Sequence, residues 1–370
     1  MRVAINAWFW DSPTTGSGQY TRCLVEHLVA LNADLQVTLV PPPTSHLQPP
    51  TSNLSKVYFE QITFPTTCRR LGADVAHVPY WAPPLCPSVP TVVTIHDLIP
   101  LLLPEYRGGP LVRLYTVLVA TSARRAALVL TDSQASRRDI LTRLGLPAER
   151  VRVVYLAADE RYTPIAAPDD APARARYGLP ERYVLYLGGF DVRKNLVTVL
   201  GAYRWAGPAI GDGCPLVVAG RLPDRDTSFI PDPRRLAREQ GLDERTVRFI
   251  GVDQAAKPAL YRGATAFIFP SRYEGFGLPP LEALACGTPV VGSNTASLPE
   301  IVGDAGMLLP PDDAEGMARA LVRIVTQEDL RAELSRRALA QAARFSWQRT
   351  AHQTLAAYKE AASQTISPTL

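Results

Sequence analysis

The stretch Glu274-Gly275-Phe276-Gly277-Leu278-Pro279-Pro280-Leu281-Glu282 places two glutamates eight positions apart around a glycine-rich turn. Its paired prolines suit the first turn of an α-helix, where a missing N–H group costs no hydrogen bond. An apolar face then continues to a helix stop at Gly287-Thr288-Pro289. We therefore expect Glu274 in the loop before a helix and Glu282 in the first turn of that helix.

The chemistry of this stretch suits a ligand that carries both negative charge and hydroxyl groups. Gly275 and Gly277 leave room for a ligand to approach main-chain N–H groups at the positive end of the helix dipole. Carboxylates accept hydrogen bonds from hydroxyl groups. A sugar nucleotide has both properties. The plainer interpretation is a glycine turn with a solvated glutamate on either side.

The residues around this stretch resemble a known signature. Phe269–Pro279 together with Glu282–Val291 resembles the E-x7-E motif of family 4 retaining glycosyltransferases. The similarity covers nearly the whole chain in the family's order and includes Gly188-Gly189, Arg193-Lys194-Asn195, Gly220-Arg221, His96-Asp97 and Gly16-Ser17-Gly18. The resemblance implies the GT-B fold, in which two Rossmann-like, doubly wound α/β domains face each other across a cleft. It points to bacterial mannosyltransferases of polysaccharide biosynthesis.

The hydrophobic pattern independently predicts an α/β fold. Short apolar strands alternate with helical segments, which favours parallel sheets with helices on both faces. We expect strands at 2–6, 36–40, 74–78, 91–95 and 128–131, then at 183–187, 215–219, 247–250, 266–269 and 289–292. Helices are expected near 18–31, 109–126 and 134–143.

The same pattern predicts the division of the chain. We expect an N-terminal acceptor-side Rossmann-like domain over 1–163, a linker rich in Ala, Pro and Asp over 164–180, and a C-terminal nucleotide-sugar-binding Rossmann-like domain over 181–345. Residues 346–370 comprise a last helix, which the resemblance implies crosses back to the first domain, and a polar tail from 363 that we expect to be loose.

Composition excludes several classes of protein. Of the 370 residues, 46% are hydrophobic and 20% are charged, which is typical of a soluble globular protein. The net charge of only +4 gives no indication of nucleic-acid binding. The five cysteines form no C-x-x-C pair, so neither a zinc site nor a disulfide framework is expected. A cytoplasmic location fits these cysteines, and no apolar run reaches the roughly 20 residues that span a bilayer.

A basic pair follows the first expected strand of the second half. Gly188 and Gly189 end that strand, and Arg193 and Lys194 come directly after it. Arginine offers a planar fork and lysine a point charge, and together they neutralise a diphosphate. A solvated basic loop is the alternative. The resemblance implies that Arg193 and Lys194 bind the donor diphosphate and stabilise it as it leaves.

The resemblance also implies roles for the glutamate stretch. Glu282 matches the residue that accepts hydrogen bonds from the nucleotide ribose, and Glu274 matches the residue at the donor sugar. The main chain of Phe276, Gly277 and Leu278 would bind sugar and phosphate oxygens. Gly189, at the end of the strand at 183–187, is also expected to contact the donor. Val252, just after the strand at 247–250, is our candidate for contact with the base.

Two further candidates lie in the first half. His96 ends an apolar strand, where a histidine faces the ligand edge of a parallel sheet. A structural histidine is the alternative, but the resemblance implies that His96 binds the donor sugar. Asp97 is expected to cap the local chain or to orient a neighbouring side chain.

Gly16 belongs to a glycine loop that lacks the full G-x-G-x-x-G pattern. Gly16 is a donor-binding candidate. The family often has Gly at position 15 and Arg at position 19, where this chain has Thr15 and Gln19, which argues against a direct phosphate contact and favours a role in shaping the acceptor side.

No metal or cofactor is expected. Asp224-Arg225-Asp226 imitates the D-x-D metal motif of another glycosyltransferase fold, but its proline-rich surroundings favour a turn. Arg193 and Lys194 would supply the charge that a divalent ion otherwise supplies.

These observations predict a retaining, metal-independent transferase. It would move a hexose, with mannose favoured, from a GDP- or UDP-linked donor to a hydroxyl of a glycan or lipid-linked acceptor. A nucleotide-sugar epimerase of the same architecture and a non-catalytic sugar-nucleotide-binding protein are the alternatives. A dehydrogenase would need an amino-terminal G-x-G-x-x-G, which this chain lacks.

An apolar helical stripe with basic flanks leaves membrane contact open. The stripe comprises Leu111, Leu114, Tyr115, Leu118 and Val119, and the basic residues are Arg107, Arg113, Arg124, Arg125, Arg137, Arg138 and Arg143. Core packing with an ordinary solvated basic face is the favoured interpretation. Weak peripheral association with the inner face of the cell membrane is the alternative.

Overall fold

We analysed the chain as a computed structural model, which describes residues 1–12, 15–31, 34–42, 53–211 and 213–364. The chain divides into two compact units. The first contains Met1–Leu156 and Ser346–Leu370, and the second contains Ala157–Phe345. Of the tail that we expect to be loose, residues 365–370 lie outside the described residues.

The described part of the first unit contains one parallel sheet. Its strands are β1 Arg2–Asn6, β2 Gln36–Val40, β3 Val75–Val78, β4 Thr91–Thr94, β5 Leu128–Thr131 and β6 Val151–Val153. Their spatial order is β2-β1-β3-β4-β5-β6. Every residue of β3, β4 and β5 is buried, because helices cover both faces of a parallel sheet.

Helices surround this first sheet. They are α1 Gly16–Leu31, α2 Asn53–Tyr58, α3 Phe64–Arg70, α4 Ile99–Leu102, α5 Pro110–Ala123, α6 Gln134–Leu144 and the C-terminal helix Trp347–Ala362. A π-helical turn, Phe59–Thr63, joins α2 to α3, and 3₁₀ turns span Pro104–Tyr106 and Ala148–Arg150. The ends of α6 follow from its sequence. Ser133 accepts a hydrogen bond from the Ser136 N–H at 3.0 Å, and Gly145 ends the helix at a φ of 62°.

The C-terminal helix is anchored in the first unit by hydrogen bonds from its buried face. The Tyr358 hydroxyl lies 2.7 Å from Nδ1 of His77 on β3, and the Thr350 hydroxyl donates to the Tyr155 carbonyl at 2.7 Å. Trp347, Ala351 and Ala361 are also buried. These contacts explain why a segment so late in the sequence belongs to the first compact unit.

The second unit repeats this architecture within its described residues. Its strands are β7 Val184–Leu187, β8 Leu216–Ala219, β9 Val247–Ile250, β10 Ala266–Phe269, β11 Val290–Ser293 and β12 Gly306–Leu309. Their order, β12-β11-β10-β7-β8-β9, is also all parallel. The helices are α7 Asp170–Arg176, α8 Leu196–Ile210, α9 Pro233–Glu239, α10 Lys257–Gly263, α11 Leu278–Ala285, α12 Leu298–Val302, α13 Ala314–Thr326 and α14 Glu328–Ala342, with 3₁₀ turns at Val192–Lys194 and Gly303–Ala305.

The two doubly wound sheets confirm the expected α/β class, and the expected strands agree with the observed ones to within one residue at each end. The sequence pattern missed β6 and β12. Each lies at the edge of its sheet and is only partly buried. Arg152 interrupts the apolar residues of β6, and β12 has only three apolar side chains after Gly306.

The segment expected as a linker, 164–180, is instead part of the second unit, which begins at Ala157. Its helix α7 is fixed by a two-pronged ion pair, in which Arg262 Nε donates to Asp170 at 2.8 Å. Ala173 of the same helix is buried in the apolar core. A segment rich in Ala and Pro, which predicted a linker, therefore contains an ordered helix. Across the part of the chain that the structure describes, no helix is long and apolar enough to cross a membrane.

Candidate functional site

The glutamate stretch forms the turn that leads from β10 into α11. Gly277 has a φ of 115°, and a Cβ atom there would lie 2.9 Å from Leu298, so only glycine fits without strain. Helix α11 starts at Leu278, and the two prolines occupy its second and third positions. Glu274 lies in the preceding loop as expected. Glu282 is the fifth helical residue and belongs to the second turn, because the helix starts one residue before the prolines.

The two expected phosphate-binding cations both contact Glu274. Lys194 Nζ lies 2.7 Å from Glu274 Oε1, and Arg193 Nη1 lies 2.7 Å from Glu274 Oε2. Lys194 also lies over the Phe269 ring at 5.1 Å, a cation–π contact. The carboxyl ends of β7 and β10, which are neighbouring strands, therefore bring together residues 80 positions apart in the sequence.

The charges in this cluster balance. Arg193 and Lys194 carry two positive charges, and Glu274 with Asp191, whose Oδ1 lies 3.6 Å from Arg193 Nε, carries two negative charges. Burial is the largest single influence on Glu274 and raises its pKa, but the charges and hydrogen bonds of Lys194, Arg193 and Ser271 together lower that pKa below its ordinary value. Glu274 is therefore held as an ionised carboxylate.

Two serine hydroxyls donate hydrogen bonds to Glu274. The fully buried Ser271 donates to Glu274 Oε1 at 2.6 Å, and Ser297 donates to the Glu274 carbonyl at 2.9 Å. Asn195, at a left-handed φ of 57°, donates from its side chain to the Pro311 carbonyl at 2.7 Å. Sequence reasoning missed Ser271. Its position three residues before Glu274 in a strand-end loop was the available signal.

Glu282 has different surroundings from Glu274. Its Oε2 accepts a hydrogen bond from the Tyr261 hydroxyl at 3.0 Å, and Glu282 itself is 6% exposed. Burial raises the pKa of Glu282 despite the nearby charge of Lys257 and the bond from Tyr261. The two glutamates of the motif are therefore buried acids with opposite pKa shifts: Glu274 is paired with two cations, and Glu282 is hydrogen-bonded to a tyrosine.

The remaining candidates of the second unit lie along its ligand edge. Gly189 is exposed after β7, and its carbonyl accepts from Tyr186 at 2.6 Å. Phe276 is buried against Phe345, with ring centroids 6.0 Å apart, while Leu278 is half-buried. Val252 follows β9, three strand positions from β10 and thus about 14 Å away at ordinary strand spacing. It packs against the apolar core, and this packing gives no separate indication of a base site.

In the first unit, His96 pairs with a residue that the sequence analysis did not select. His96 Nδ1 lies 2.7 Å from Oδ2 of Asp132, which directly follows β5. His96 follows the adjacent strand β4, so the two side chains come from neighbouring carboxyl ends. Asp97 has the local role that we expected, because its Oδ1 accepts the N–H of Ile99 at the start of α4 at 3.0 Å.

Gly16 is the exposed first residue of α1. Thr15 caps this helix: its hydroxyl accepts the Gly18 N–H at 3.1 Å. A Cβ atom on Gly18 would lie 2.7 Å from the Phe9 carbonyl oxygen, so the second glycine of the loop is needed for close chain packing.

The aspartates of the D-x-D segment contact arginines near the surface. Asp226 accepts from Arg235 Nε at 2.6 Å and from the Asp232 N–H at 2.9 Å, and Asp224 lies 3.8 Å from Arg221. These contacts make Asp226 a stabiliser of the loop before α9. Within residues 1–12, 15–31, 34–42, 53–211 and 213–364, no group of three or more His, Cys, Asp or Glu side chains is arranged to hold a metal ion.

Two family models match the chain in succession. Residues 14–162 match Glycosyltransferase Family 4, and residues 170–341 match Glycosyl transferases group 1. The O-antigen chain mannosyltransferase B of Escherichia coli is 36% identical over 270 residues, which is 72% of this chain and 70% of that protein. The serotype-specific mannosyltransferase WbdA of Escherichia coli is 34% identical over 266 residues, which is 71% of this chain but only 32% of WbdA.

The solved structures agree on the fold. Sucrose-phosphate synthase from Thermosynechococcus elongatus superposes with a TM-score of 0.76 at 23% identity, covering 97% of this chain and 98% of that one. The fold is therefore GT-B. With both family models matched and a relative above 30% identity aligned over most of its length, the chain belongs to glycosyltransferase family 4 and is a glycosyltransferase.

Proposed function

We propose that this glycosyltransferase is a retaining, metal-independent mannosyltransferase. It moves mannose from a nucleoside-diphosphate sugar to a hydroxyl of a glycan or lipid-linked acceptor. The observation that carries the proposal is the cluster of the half-buried Arg193 and Lys194 with the buried Glu274 at the ligand edge of the second sheet. It combines cations for a diphosphate with a carboxylate for sugar hydroxyls.

The geometry suggests how the donor is bound. Arg193 and Lys194 exchange Glu274 for the diphosphate, and Glu274 exchanges the cations for sugar hydroxyls. Each buried charge then keeps a partner, which is the condition for burying charge at tolerable cost. When the glycosidic bond breaks, Arg193 and Lys194 stabilise the negative charge that develops on the leaving diphosphate. The acceptor attacks from the same face of the sugar, assisted by the departing phosphate oxygen.

Other parts of the donor contact the same edge. Glu282 binds the ribose, and the main chain of Phe276, Gly277 and Leu278 binds sugar and phosphate oxygens together with Gly189. Because Pro279 and Pro280 lack N–H groups, the donors at the start of α11 belong to the loop and to Leu278. Val252 and Gly16 are the candidates for the base and the acceptor side. The choice of mannose rests on the mannosyltransferase relatives.

The test is transfer from a panel of radiolabelled GDP- and UDP-sugars to a bacterial lipid and polysaccharide fraction. We expect labelled product from GDP-mannose. NMR should show that the new linkage keeps the anomeric configuration of the donor, and the rate should be the same when a metal chelator is present. An interconverted free sugar nucleotide would instead indicate an epimerase, and binding without turnover a non-catalytic protein. Product of inverted configuration, or loss of activity in the chelator that returns with Mg²⁺, would contradict those parts of the proposal.

We also propose that the first unit binds anionic membrane surfaces weakly. The expected stripe on α5 is divided. Val119 is buried, but Leu111 is 80% exposed, Leu114 67% and Val117 62%, and these three form an exposed apolar face. Tyr115 packs against the core and Leu118 is half-buried, so core packing explains only part of the stripe.

The neighbouring helix α2 also has exposed apolar side chains. Leu54 and Tyr58 of α2 are 81% and 63% exposed, and Lys56 of the same helix lies 5.3 Å from the Tyr115 ring of α5. Arg107 and Arg113 are exposed beside the apolar residues. An apolar face bordered by basic side chains complements an anionic lipid surface, at about 1 kcal/mol for each basic residue near it. Such binding would bring the enzyme to a lipid-linked acceptor on the cytoplasmic side of the membrane.

A further inference from the structure

Both ring nitrogens of His96 face hydrogen-bond acceptors. Nδ1 lies 2.7 Å from the Asp132 carboxylate, and Nε2 lies 3.2 Å from the Pro79 carbonyl oxygen. A carbonyl oxygen has no proton to donate, and neither has an ionised carboxylate. Both contacts are hydrogen bonds only if both ring nitrogens of His96 carry hydrogen, which makes the ring an imidazolium.

The groups around His96 favour that charge. Asp132 is 2% exposed, and Asp97, the next residue along the chain, adds a second nearby negative charge. Burial is the largest influence on His96 and lowers its pKa. Asp132 and Asp97, with the Pro79 carbonyl, raise that pKa above its ordinary value overall. Tyr20 of α1 packs edge-on against the ring, with centroids 4.9 Å apart.

A fully buried histidine on the neighbouring strand, His77, has different partners. His77 lies between the Thr94 hydroxyl, 2.9 Å from its Nε2, and the Tyr358 hydroxyl, 2.7 Å from its Nδ1. Hydroxyls donate as well as accept, so these partners suit a neutral ring. Burial and the positive charge of His96 lower the pKa of His77 to about 3. The two histidines therefore have different partners: His96, just after β4, faces two acceptors, and His77 on the neighbouring β3 faces two hydroxyls.

We propose that Asp132 is a positioning residue that holds His96 as an imidazolium, so that His96 acts in transfer as a cationic hydrogen-bond donor and not as a general base. The proposal rests on the proposed function for its role in transfer, but not for the charge state. A general base needs a free ring lone pair, and neither nitrogen offers one here. The bond to Pro79 is the longer of the two, so the Nε2 hydrogen is the one that a sugar oxygen can take over.

The charge state is tested without any substrate, by NMR titration of ¹³Cε1-labelled histidine. The His96 signal is identified by its absence in His96→Gln. We expect wild-type His96 to remain protonated above about pH 6.5, the ordinary histidine value. Asp132→Asn should move its titration to lower pH by a unit or more, roughly a tenfold change in the equilibrium. Asp97→Asn is the matched control and should move it much less, because Asp97 makes its hydrogen bond to the main chain.

The same variants then test the role in transfer. In Asp132→Asn the alkaline limb of the kcat/KM profile should move to lower pH with the His96 titration, and activity should recover on acidification. A wild-type His96 that is neutral at neutral pH overturns the proposal, and this needs no variant to fold. So does a loss of activity in Asp132→Asn that is the same at every pH, which would indicate a purely structural role. If the titrations behave as expected but no sugar is transferred, the proposed function fails and the assigned charge state stands.

Discussion

Lys194 Nζ lies 2.7 Å from Glu274 Oε1, so a residue expected to bind phosphate is paired with one expected to bind sugar. Arg193 makes the matching contact with the other carboxylate oxygen. The pairing keeps these charges compensated. Under the proposed function, the diphosphate competes with Glu274 for both cations, and its binding releases Glu274 for the sugar hydroxyls.

Replacing Glu274 with Gln should separate binding from turnover. The variant removes the competing anion, so we expect the affinity for a free nucleoside diphosphate to rise about tenfold, or ~1.4 kcal/mol. Transfer should fall at the same time, because the sugar loses its carboxylate. Isothermal calorimetry and the transfer assay measure the two effects. Glu282→Gln provides a comparison: Glu282 has neither cation as a close partner, so its replacement should not raise the affinity. Weaker diphosphate binding in Glu274→Gln would contradict the competition.

The cations themselves should matter most for the chemical step. We expect Arg193→Ala and Lys194→Ala each to lower kcat by roughly two to three orders of magnitude, because each removes an electrostatic stabiliser of the leaving group. Arg225→Ala, an exposed arginine in the loop after β8, is the matched control and should be nearly normal. Near-normal turnover in both folded cluster variants would remove these residues from the site.

Much of the second unit could be predicted from local sequence. Glycines, prolines and an apolar run are sufficient to place a loop at Glu274 and a helix through Glu282, since turn and helix preferences are local. The mutual neutralisation of Glu274 and Lys194 could not be predicted in this way. Which partner a charged side chain finds depends on which strands become neighbours, and β7 and β10 are far apart in the sequence.

The same reason explains the missed Asp132. An aspartate after a strand and before a helix ordinarily predicts a cap or a turn. In the structure the cap of α6 is Ser133, the next residue, which leaves the Asp132 carboxylate to His96. The exposed Leu111 and Leu114 show a second limit of prediction from sequence. Helical spacing predicts that residues share a face, but not whether that face is covered.

Acid pH should weaken the contribution of Glu274 to stability. Its pKa is lowered from 4.5 by folding, so its stabilisation is complete above about 4.5 and is lost as pH falls through the lowered value. Breaking a buried pair costs roughly 3 kcal/mol, which sets the scale expected for Glu274→Gln near neutral pH. Denaturant unfolding of both proteins should show a constant difference down to about pH 5 and a smaller one below. A difference that grows on acidification would contradict the lowered pKa.

Glu282→Ala should chiefly weaken nucleotide binding. A ribose contact is similar in the ground state and the transition state, so its loss raises the Kd for the nucleoside diphosphate more than it lowers kcat. Calorimetry at neutral pH measures the first and saturating transfer assays the second. Tyr261→Phe provides a comparison, because it removes the hydroxyl that donates to Glu282 Oε2 and keeps the carboxylate. Unchanged affinity in folded Glu282→Ala would refute the ribose assignment.

The exposed apolar face of α5 should determine membrane binding. We expect the wild-type protein to co-sediment with anionic vesicles at low salt and to dissociate at high salt, since the basic residues act through a screened attraction. The double variant Leu111→Ser with Leu114→Ser should bind roughly tenfold less tightly or worse, because two apolar side chains no longer enter the lipid interface. Val29→Ser on α1, where Val29 is 56% exposed, is the matched control and should bind like the wild type. Equal retention of the wild type by neutral and anionic vesicles at low salt would favour an acceptor that is free in solution.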